Sequence, residues 1–186
     1  MNLLKEIRDF SKEEQQTKAS SVPKYSKDPK TRLFNFGTMR NRRVFNAVLG
    51  REFPVAYTKK ATLTGYVAHK IDGEVFPALV KTGNEEDRVV GNVVYNLTPN
   101  DIKRIDFYEE GLYKKETLTV TVEETGEEVD TQVFTDFHDD DKVLDDKWSY
   151  VQYKEDVVPS YVKEVQQWME DHWMVTAKVH KTISPV

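Results

Sequence analysis

The chain has 186 residues, 38% of them hydrophobic, which is enough for one well-packed domain with tails. Its 27 basic and 32 acidic side chains are well mixed and give a formal net charge of -5, so the composition indicates neither a nucleic-acid footprint nor a polybasic membrane patch. The absence of cysteine excludes disulfides and thiolate nucleophiles, and no apolar run approaches the ~20 residues of a membrane span, so we expect a soluble, cytoplasmic protein.

Residues 1–30 are predicted to form an N-terminal arm. Its start carries apolar side chains at helical spacing: Leu3, Leu4, Ile7 and Phe10. Because Glu6 and Asp9 lie among the basic residues of this segment, packing on the domain or on another subunit is favoured over membrane binding. A homodimer formed through this arm is therefore one expectation.

The main domain is predicted at residues 31–174 and begins with the apolar run LFNF, which is typical of a strand. Gly37 and Thr38 predict a tight turn, and the following segment RNRRVFNAVLG predicts a helix that ends before Gly50. A glycine between a strand and a helix lets successive backbone N–H groups converge on an anion such as a carboxylate. The same pattern also occurs in an ordinary strand-to-helix connection.

Three further strands are predicted before the next helix. Residues 63–70 and 74–80 read as a hairpin or a pair of neighbouring strands around the Asp72-Gly73 turn, with Pro77 at an edge or a bulge. After a polar loop, residues 89–97 predict another strand, in which Gly91 indicates a bulge or a close backbone approach.

A capped helix follows this strand. Thr98 is a favourable N-cap residue, and Asp101 stands where the acid of a capping box belongs. Ile102, Ile105 and Glu109 fall on one helical face, so a carboxylate shares the apolar face. Burial would raise the pKa of that carboxylate and make it a better proton acceptor, as at a functional site; the alternative is that Glu109 simply ends the helix at the surface.

The rest of the chain completes an α+β domain. Alternating apolar residues at 118–122 and 129–135 predict a hairpin around the Thr125-Gly126 turn. An acidic loop at 138–147, an amphipathic helix from about Pro159 and a tail at 175–186 follow. The strand count favours a small curved sheet or mixed β-barrel with flanking helices.

The sequence does not show the residue spacing of common metal-binding and nucleotide-binding motifs. An EF-hand that began at Asp139 would lack the glycine of its sixth position, so a solvated charge run is favoured for the acidic segment. The four histidines show no paired ligand spacing, and GxSxG, GKS/T and GxGxxG motifs do not occur. We therefore expect neither a metal nor a cofactor.

Four segments together carry a resemblance to a known family: LFNFGTM, LTGYVAHKIDGEVFPALV, GNVVYNLTPNDIKRIDFYEEGLYKK and the hairpin that follows. They resemble the γ-glutamylcyclotransferase-like family, which includes γ-glutamylamine cyclotransferases and plant avirulence-induced-gene proteins. The resemblance spans roughly Arg32 to Trp168. Its diagnostic pieces are a hydrophobic-x-Tyr-Gly-Ser/Thr-Leu loop and a Leu-Asp-x-x-Glu segment followed by Tyr-x-Arg/Lys.

The resemblance implies a site and a reaction. The loop corresponds to Phe36, Gly37, Thr38 and Met39. Its backbone amides would hold the γ-glutamyl part of the substrate, Glu109 would be the catalytic acid/base, and Tyr113 would be a further substrate-binding residue. The α-amine of the substrate would attack its own γ-amide carbonyl, close 5-oxoproline and release an amine or an amino acid.

Three positions depart from the family pattern. Phe36 replaces a tyrosine, Glu110 replaces a common glycine, and Lys115 replaces an arginine. A non-catalytic ligand-binding or interaction module that retains the fold is therefore the main alternative to an enzyme. A γ-glutamyl amidohydrolase or transferase, in which water or another amine replaces the internal nucleophile, is a third.

Overall fold

The computed structural model describes residues 24–109 and 111–182, with side chains described through residue 173. Within these ranges the strands are β1 (Leu33–Asn35), β2 (Thr58–Thr64), β3 (Tyr66–Ile71), β4 (Pro77–Lys81), β5 (Arg88–Val94), β6 (Tyr113–Val122), β7 (Glu128–Phe137) and β8 (Val143–Lys147). The α-helices are α1 (Arg42–Leu49), α2 (Pro99–Glu109), α3 (Tyr150–Asp156) and α4 (Val158–Thr182).

Five strands close into a barrel in the order β1-β5-β2-β6-β7, and β7 returns to pair with β1 in parallel. The other neighbouring pairs are antiparallel, including the β6–β7 hairpin that the alternating sequence predicts. Apolar side chains of the barrel strands pack together as one core, which includes Phe34, Leu63, Val93 and Val133. The predicted α+β class with a small mixed barrel is confirmed.

Gly91 in β5 is the site of a close backbone approach, as its sequence context predicts. A Cβ atom at this position would lie 2.5 Å from the carbonyl oxygen of Asn35 and 2.7 Å from Cζ of Phe34. Any other residue would therefore push β1 away from β5. Because Asn35 is the last residue of β1, this contact fixes where the following turn begins.

A smaller sheet has the order β4-β3-β8. The predicted hairpin is confirmed for β3 and β4, and Pro77 opens the edge strand β4, although Gly65 separates β3 from the barrel strand β2. The prediction of a loop throughout residues 138–147 is wrong, because β8 pairs there with β3. Side chains of β8 are mostly exposed, so this edge strand shows no apolar alternation that a sequence pattern could reveal.

The helices share a second core with the outer faces of the barrel strands. Its buried members include Val44, Val48, Ile105, Val165 and Met169. These side chains come from α1, α2 and α4, so the three helices are held together by one apolar contact region. This core sets the position of the C-terminal end of α2 relative to α4.

The amphipathic helix predicted in the N-terminal arm lies outside the described residues. The described part of the arm is tied to the domain by Asn96, whose side chain accepts from the Ser26 N–H at 2.6 Å and donates to the Lys24 carbonyl at 2.7 Å. At the other end, α4 continues to Thr182, within the range predicted as a tail. Among the described residues, no helix combines the length and apolar character that crossing a membrane requires.

Candidate active site

A cavity of about 400 Å³ opens between the turn after β1, the start of β4, the end of α2 and the N-terminal half of α4. Apolar and aromatic side chains make up most of its wall, which is the usual form of a small-molecule site. All the site residues predicted from the sequence line this cavity: Phe36, Gly37, Thr38, Met39, Glu109 and Tyr113. Two segments that are far apart in the sequence therefore meet at one surface.

The turn after β1 is held in place from several sides. Thr38–Arg40 forms a 3-10 helix, in which the Arg40 N–H donates to the Gly37 carbonyl at 3.1 Å. The Asn35 amide donates to the Met39 carbonyl at 3.4 Å, and a Cβ on Gly37 would lie 3.0 Å from Pro77. The first N–H groups of such a turn have no partner within it, so they are available to an anionic or carbonyl oxygen.

Glu109 is the last residue of α2 and is half-buried on the cavity wall. Within the part of the chain that the structure describes, its carboxylate has neither a hydrogen-bond donor nor a cation as partner. Removal from water by the surrounding protein raises the pKa of Glu109 to about 8. A carboxyl group with this pKa can both accept and return a proton near neutral pH.

Contacts at the N-terminal end of α2 and along its apolar face hold the helix in place and thereby position the Glu109 carboxylate. Thr98 and Asp101 form the predicted capping box, with the Thr98 N–H donating to Asp101 at 2.9 Å and the Asp101 N–H donating to Thr98 Oγ1 at 3.1 Å. Ile105 is buried in the helical core one turn before Glu109. The capping box predicted for this segment is therefore confirmed.

Three tyrosine hydroxyls lie near Glu109. The Tyr113 hydroxyl donates to the Pro77 carbonyl at 2.9 Å, and the hydroxyls of Tyr108 and Tyr161 are 2.7 Å apart. Burial raises the pKa of each tyrosine, and the Glu109 charge raises it further. All three phenols therefore stay neutral near pH 7 and remain able to donate a hydrogen bond.

Sequence reasoning missed Tyr161, Glu164 and Trp168, through which α4 contributes a wall of the cavity. The amphipathic spacing of this helix was visible, but the spacing does not reveal which element the helix packs against. Lys115 is placed elsewhere: its ammonium pairs with Asp106 at 2.5 Å, and it does not line the cavity. Across residues 24–109 and 111–173, no three His, Asp or Glu side chains converge to hold a metal ion.

Comparison with known proteins points to one family. The family model described as gamma-glutamyl cyclotransferase, AIG2-like, matches residues 33–155. AIG2-like protein C of Arabidopsis thaliana is 23% identical over 146 residues, which cover 78% of this chain and 82% of that protein. AIG2-like protein D of the same plant is 24% identical over 140 residues, or 75% of this chain and 89% of that protein.

A solved structure shares the fold. The solution structure of an Arabidopsis thaliana protein is 20% identical, covers 88% of this chain and 96% of its own length, and has a TM-score of 0.56. At this identity the likeness concerns the fold alone. The segment matched by the family model contains all the predicted site residues, whereas α4 lies beyond it.

Proposed function

Since the chain belongs to the gamma-glutamyl cyclotransferase, AIG2-like family, we propose that it is an enzyme that converts a γ-glutamyl amide into 5-oxoproline and a free amine. The observation that carries this proposal is the position of Glu109, which has a pKa of about 8 and shares one cavity with the turn at Gly37. The substrate class is a γ-glutamyl amine or a γ-glutamyl amino acid. The cysteine-free sequence fits a reducing compartment, and we place the reaction in the cytoplasm.

In the first step, the Glu109 carboxylate accepts a proton from the α-ammonium of the substrate. The neutral amine then attacks the γ-carbonyl carbon, and the new C–N bond closes the five-membered ring. The protonated Glu109 returns its proton to the leaving nitrogen as the original amide C–N bond breaks. The ring nitrogen gives its remaining extra proton to the departing amine, so the products are 5-oxoproline and the amine in its ammonium form, and Glu109 is again a carboxylate.

The turn and the tyrosines have complementary roles in this proposal. Backbone N–H groups of Thr38 and Met39 would bind the α-carboxylate of the substrate or the oxyanion that forms during attack. The phenol of Tyr113, next to Glu109, would contact the bound γ-glutamyl group. Enclosure by Phe36 and the other apolar walls would favour the folded substrate conformation that the ring closure needs.

Phe36 favours a second candidate, a module that binds γ-glutamyl compounds without converting them. Its ring is buried and stacks on that of Phe34 at an interplanar angle of 24°, with the ring centroids 6.3 Å apart, so this position supplies packing where the family pattern has a hydroxyl. Calorimetric binding of an intact γ-glutamyl amide without formation of 5-oxoproline would establish this candidate in place of the enzyme.

The test incubates the purified full-length protein with a panel of γ-glutamyl amines and dipeptides and measures 5-oxoproline by mass spectrometry. Glu109→Gln removes the proton acceptor and is expected to lower turnover about 100- to 10,000-fold. Asp106→Asn is the matched control, because Asp106 is on the same helix but outside the cavity. Equal product from wild type and Glu109→Gln, or no product from any substrate, would refute the proposal.

A further inference from the structure

We infer that α4 selects the leaving group: Glu164 and Trp168 form a subsite for an alkyl amine that carries a second positive charge. This inference rests on the proposed function. It concerns the part of the cavity that would hold the leaving amine, and it favours a γ-glutamyl amine over a γ-glutamyl amino acid as the substrate.

One face of α4 forms this wall. Tyr161, Glu164, Val165 and Trp168 follow the i, i+3, i+4, i+7 spacing of a single helical face, and all four line the cavity. Val165 is 4% exposed and belongs to the helical core, and the Tyr161 hydroxyl lies 2.7 Å from that of Tyr108. The face is therefore fixed to the cavity at two points, so the helix backbone at Glu164 and Trp168 is held beside the cavity.

Among the residues that the structure describes, the cavity wall carries two carboxylates and no Lys, Arg or His side chain. If Glu109 accepts the proton of the α-ammonium, Glu164 faces the remainder of the substrate. Glu164 is exposed, and no cation or hydrogen-bond donor pairs with it among the side chains that the structure describes. A cationic leaving group gains an ion pair there, whereas the carboxylate of a leaving amino acid meets a like charge.

Trp168 supplies a rigid apolar surface beside Glu164. Its ring packs against Phe107, with centroids 5.3 Å apart, and against His172, with centroids 4.9 Å apart. These contacts fix the ring, yet 38% of the residue remains exposed. An alkyl chain can cover that exposed surface without ordering another side chain, which keeps the entropic cost of binding low.

The two features together specify a γ-glutamyl amide of a diamine or polyamine, with methylene groups against Trp168 and an ammonium at Glu164. Three amides whose tails each have four carbon atoms vary the charge at the end of the leaving group: the N-(4-aminobutyl), N-butyl and N-(3-carboxypropyl) amides of the γ-carboxyl of glutamate. Wild type is expected to prefer them in that order, by about fivefold in kcat/KM at each step, the upper range for an exposed ion pair. High salt should compress the order.

Variants of α4 locate the source of the preference. Glu164→Gln should remove the charge order and Glu164→Lys should reverse it. Glu170→Gln changes the same charge on an exposed residue of the same helix that does not line the cavity, so it should keep the wild-type order. Equal kcat/KM for the three amides in wild type, or an unchanged order in Glu164→Lys, would overturn the inference.

A binding measurement separates this inference from the proposed reaction. Calorimetry on Glu109→Gln and on the Glu109→Gln, Glu164→Gln double variant measures the affinity for the same three amides without turnover. If tail charge orders the affinities only while Glu164 is present, the subsite is supported even when wild type forms no 5-oxoproline. If the three affinities are equal in Glu109→Gln, the subsite is refuted even when wild type is an active cyclotransferase.

Discussion

The two ends of α2 each carry a carboxylate turned toward protein, and their surroundings move the two pKa values in opposite directions. Asp101 is 1% exposed, and burial alone would raise its pKa. Two hydrogen bonds from the Arg51 guanidinium, at 2.5 and 2.9 Å, and one from the Thr98 N–H instead hold the pKa below its usual value. Asp101 is therefore a satisfied structural anion.

Glu109 is also shielded from water, but no guanidinium or N–H group of the described residues compensates its carboxylate. Desolvation raises its pKa to about 8, and the nearest groups are neutral phenols rather than a guanidinium. An acid on an apolar helical face is thus not by itself a sign of chemistry, since Asp101 is more deeply buried than Glu109. The distinguishing feature is whether a donor or cation compensates for the burial.

Replacing Asp101 tests the compensated end of α2. Asp101→Asn removes a buried anion and leaves Arg51 without its partner, so we expect the free energy of unfolding to fall by about 3 kcal/mol. Urea denaturation measures this change. Asp106→Asn, which breaks an exposed pair with Lys115 on the same helix, is the control and should cost less than about 1 kcal/mol. Equal losses would show that Asp101 is no better compensated than a surface acid.

Replacing Glu109, the uncompensated acid, should raise the free energy of unfolding instead of lowering it. Between its unfolded pKa of 4.5 and its folded pKa of about 8, Glu109 holds in the folded state a proton that the unfolded chain has released. Its contribution to stability is therefore fully present below pH 4.5 and is lost as pH rises to about 8. Glu109→Gln should be more stable than wild type above that pH, by at most about 5 kcal/mol for a pKa that differs between 4.5 and about 8, and equally stable at low pH.

Chemical denaturation of both proteins across this pH range tests the prediction. Parallel stability curves would contradict it, because they would mean that Glu109 titrates alike in the folded and unfolded chains.

The contrast also shows which parts of the site the sequence could predict. The capping box and the shared face of Ile105 and Glu109 depend on residues within a few positions of each other, and these predictions were confirmed. Arg51 could not be assigned to Asp101, because that pair joins residues fifty positions apart. A local pattern thus identifies a buried acid but not its partner.

The wall formed by α4 was missed for the same reason. Glu164 and Trp168 appear in the sequence as members of an amphipathic helix, and no local rule states that this helix covers the end of α2. Strand β8 was missed for a different reason, because an exposed edge strand needs no apolar side chains. Resemblance to a family supplied the pairing of Gly37 with Glu109 that spacing alone could not supply.

A smaller effect should appear in the pH dependence of turnover. If ionised Glu109 is the proton acceptor, kcat/KM should rise about tenfold per pH unit and level off near pH 8, which is about a 50-fold increase from pH 6. In the substrate complex, the α-ammonium favours the carboxylate, so kcat should level off at a lower pH. Asp101→Asn should leave both inflections in place, since Asp101 does not line the cavity. A kcat/KM inflection near 4.5 would mean that Glu109 is solvated like a surface acid.

The smallest expected effect comes from the Thr98 cap, and it tests whether the N-terminal end of α2 influences Glu109 at the other end. Thr98→Ala removes the acceptor of the Asp101 N–H, a hydrogen bond of 3.1 Å, and should cost about 1 kcal/mol in the free energy of unfolding, while Thr98→Ser should restore it. The backbone N–H of residue 98 still donates to Asp101 in this variant, so the ion pair with Arg51 persists and the loss stays below that of Asp101→Asn.

Activity of the same variant completes this test. Buried Ile105 holds the last turn of α2 in the helical core, so the inflection of kcat/KM should remain near pH 8 in Thr98→Ala. An inflection shifted toward 4.5 would contradict this independence. It would show that loss of the cap frays the helix as far as Glu109, and that the compensated end of α2 maintains the burial on which the proton acceptor depends.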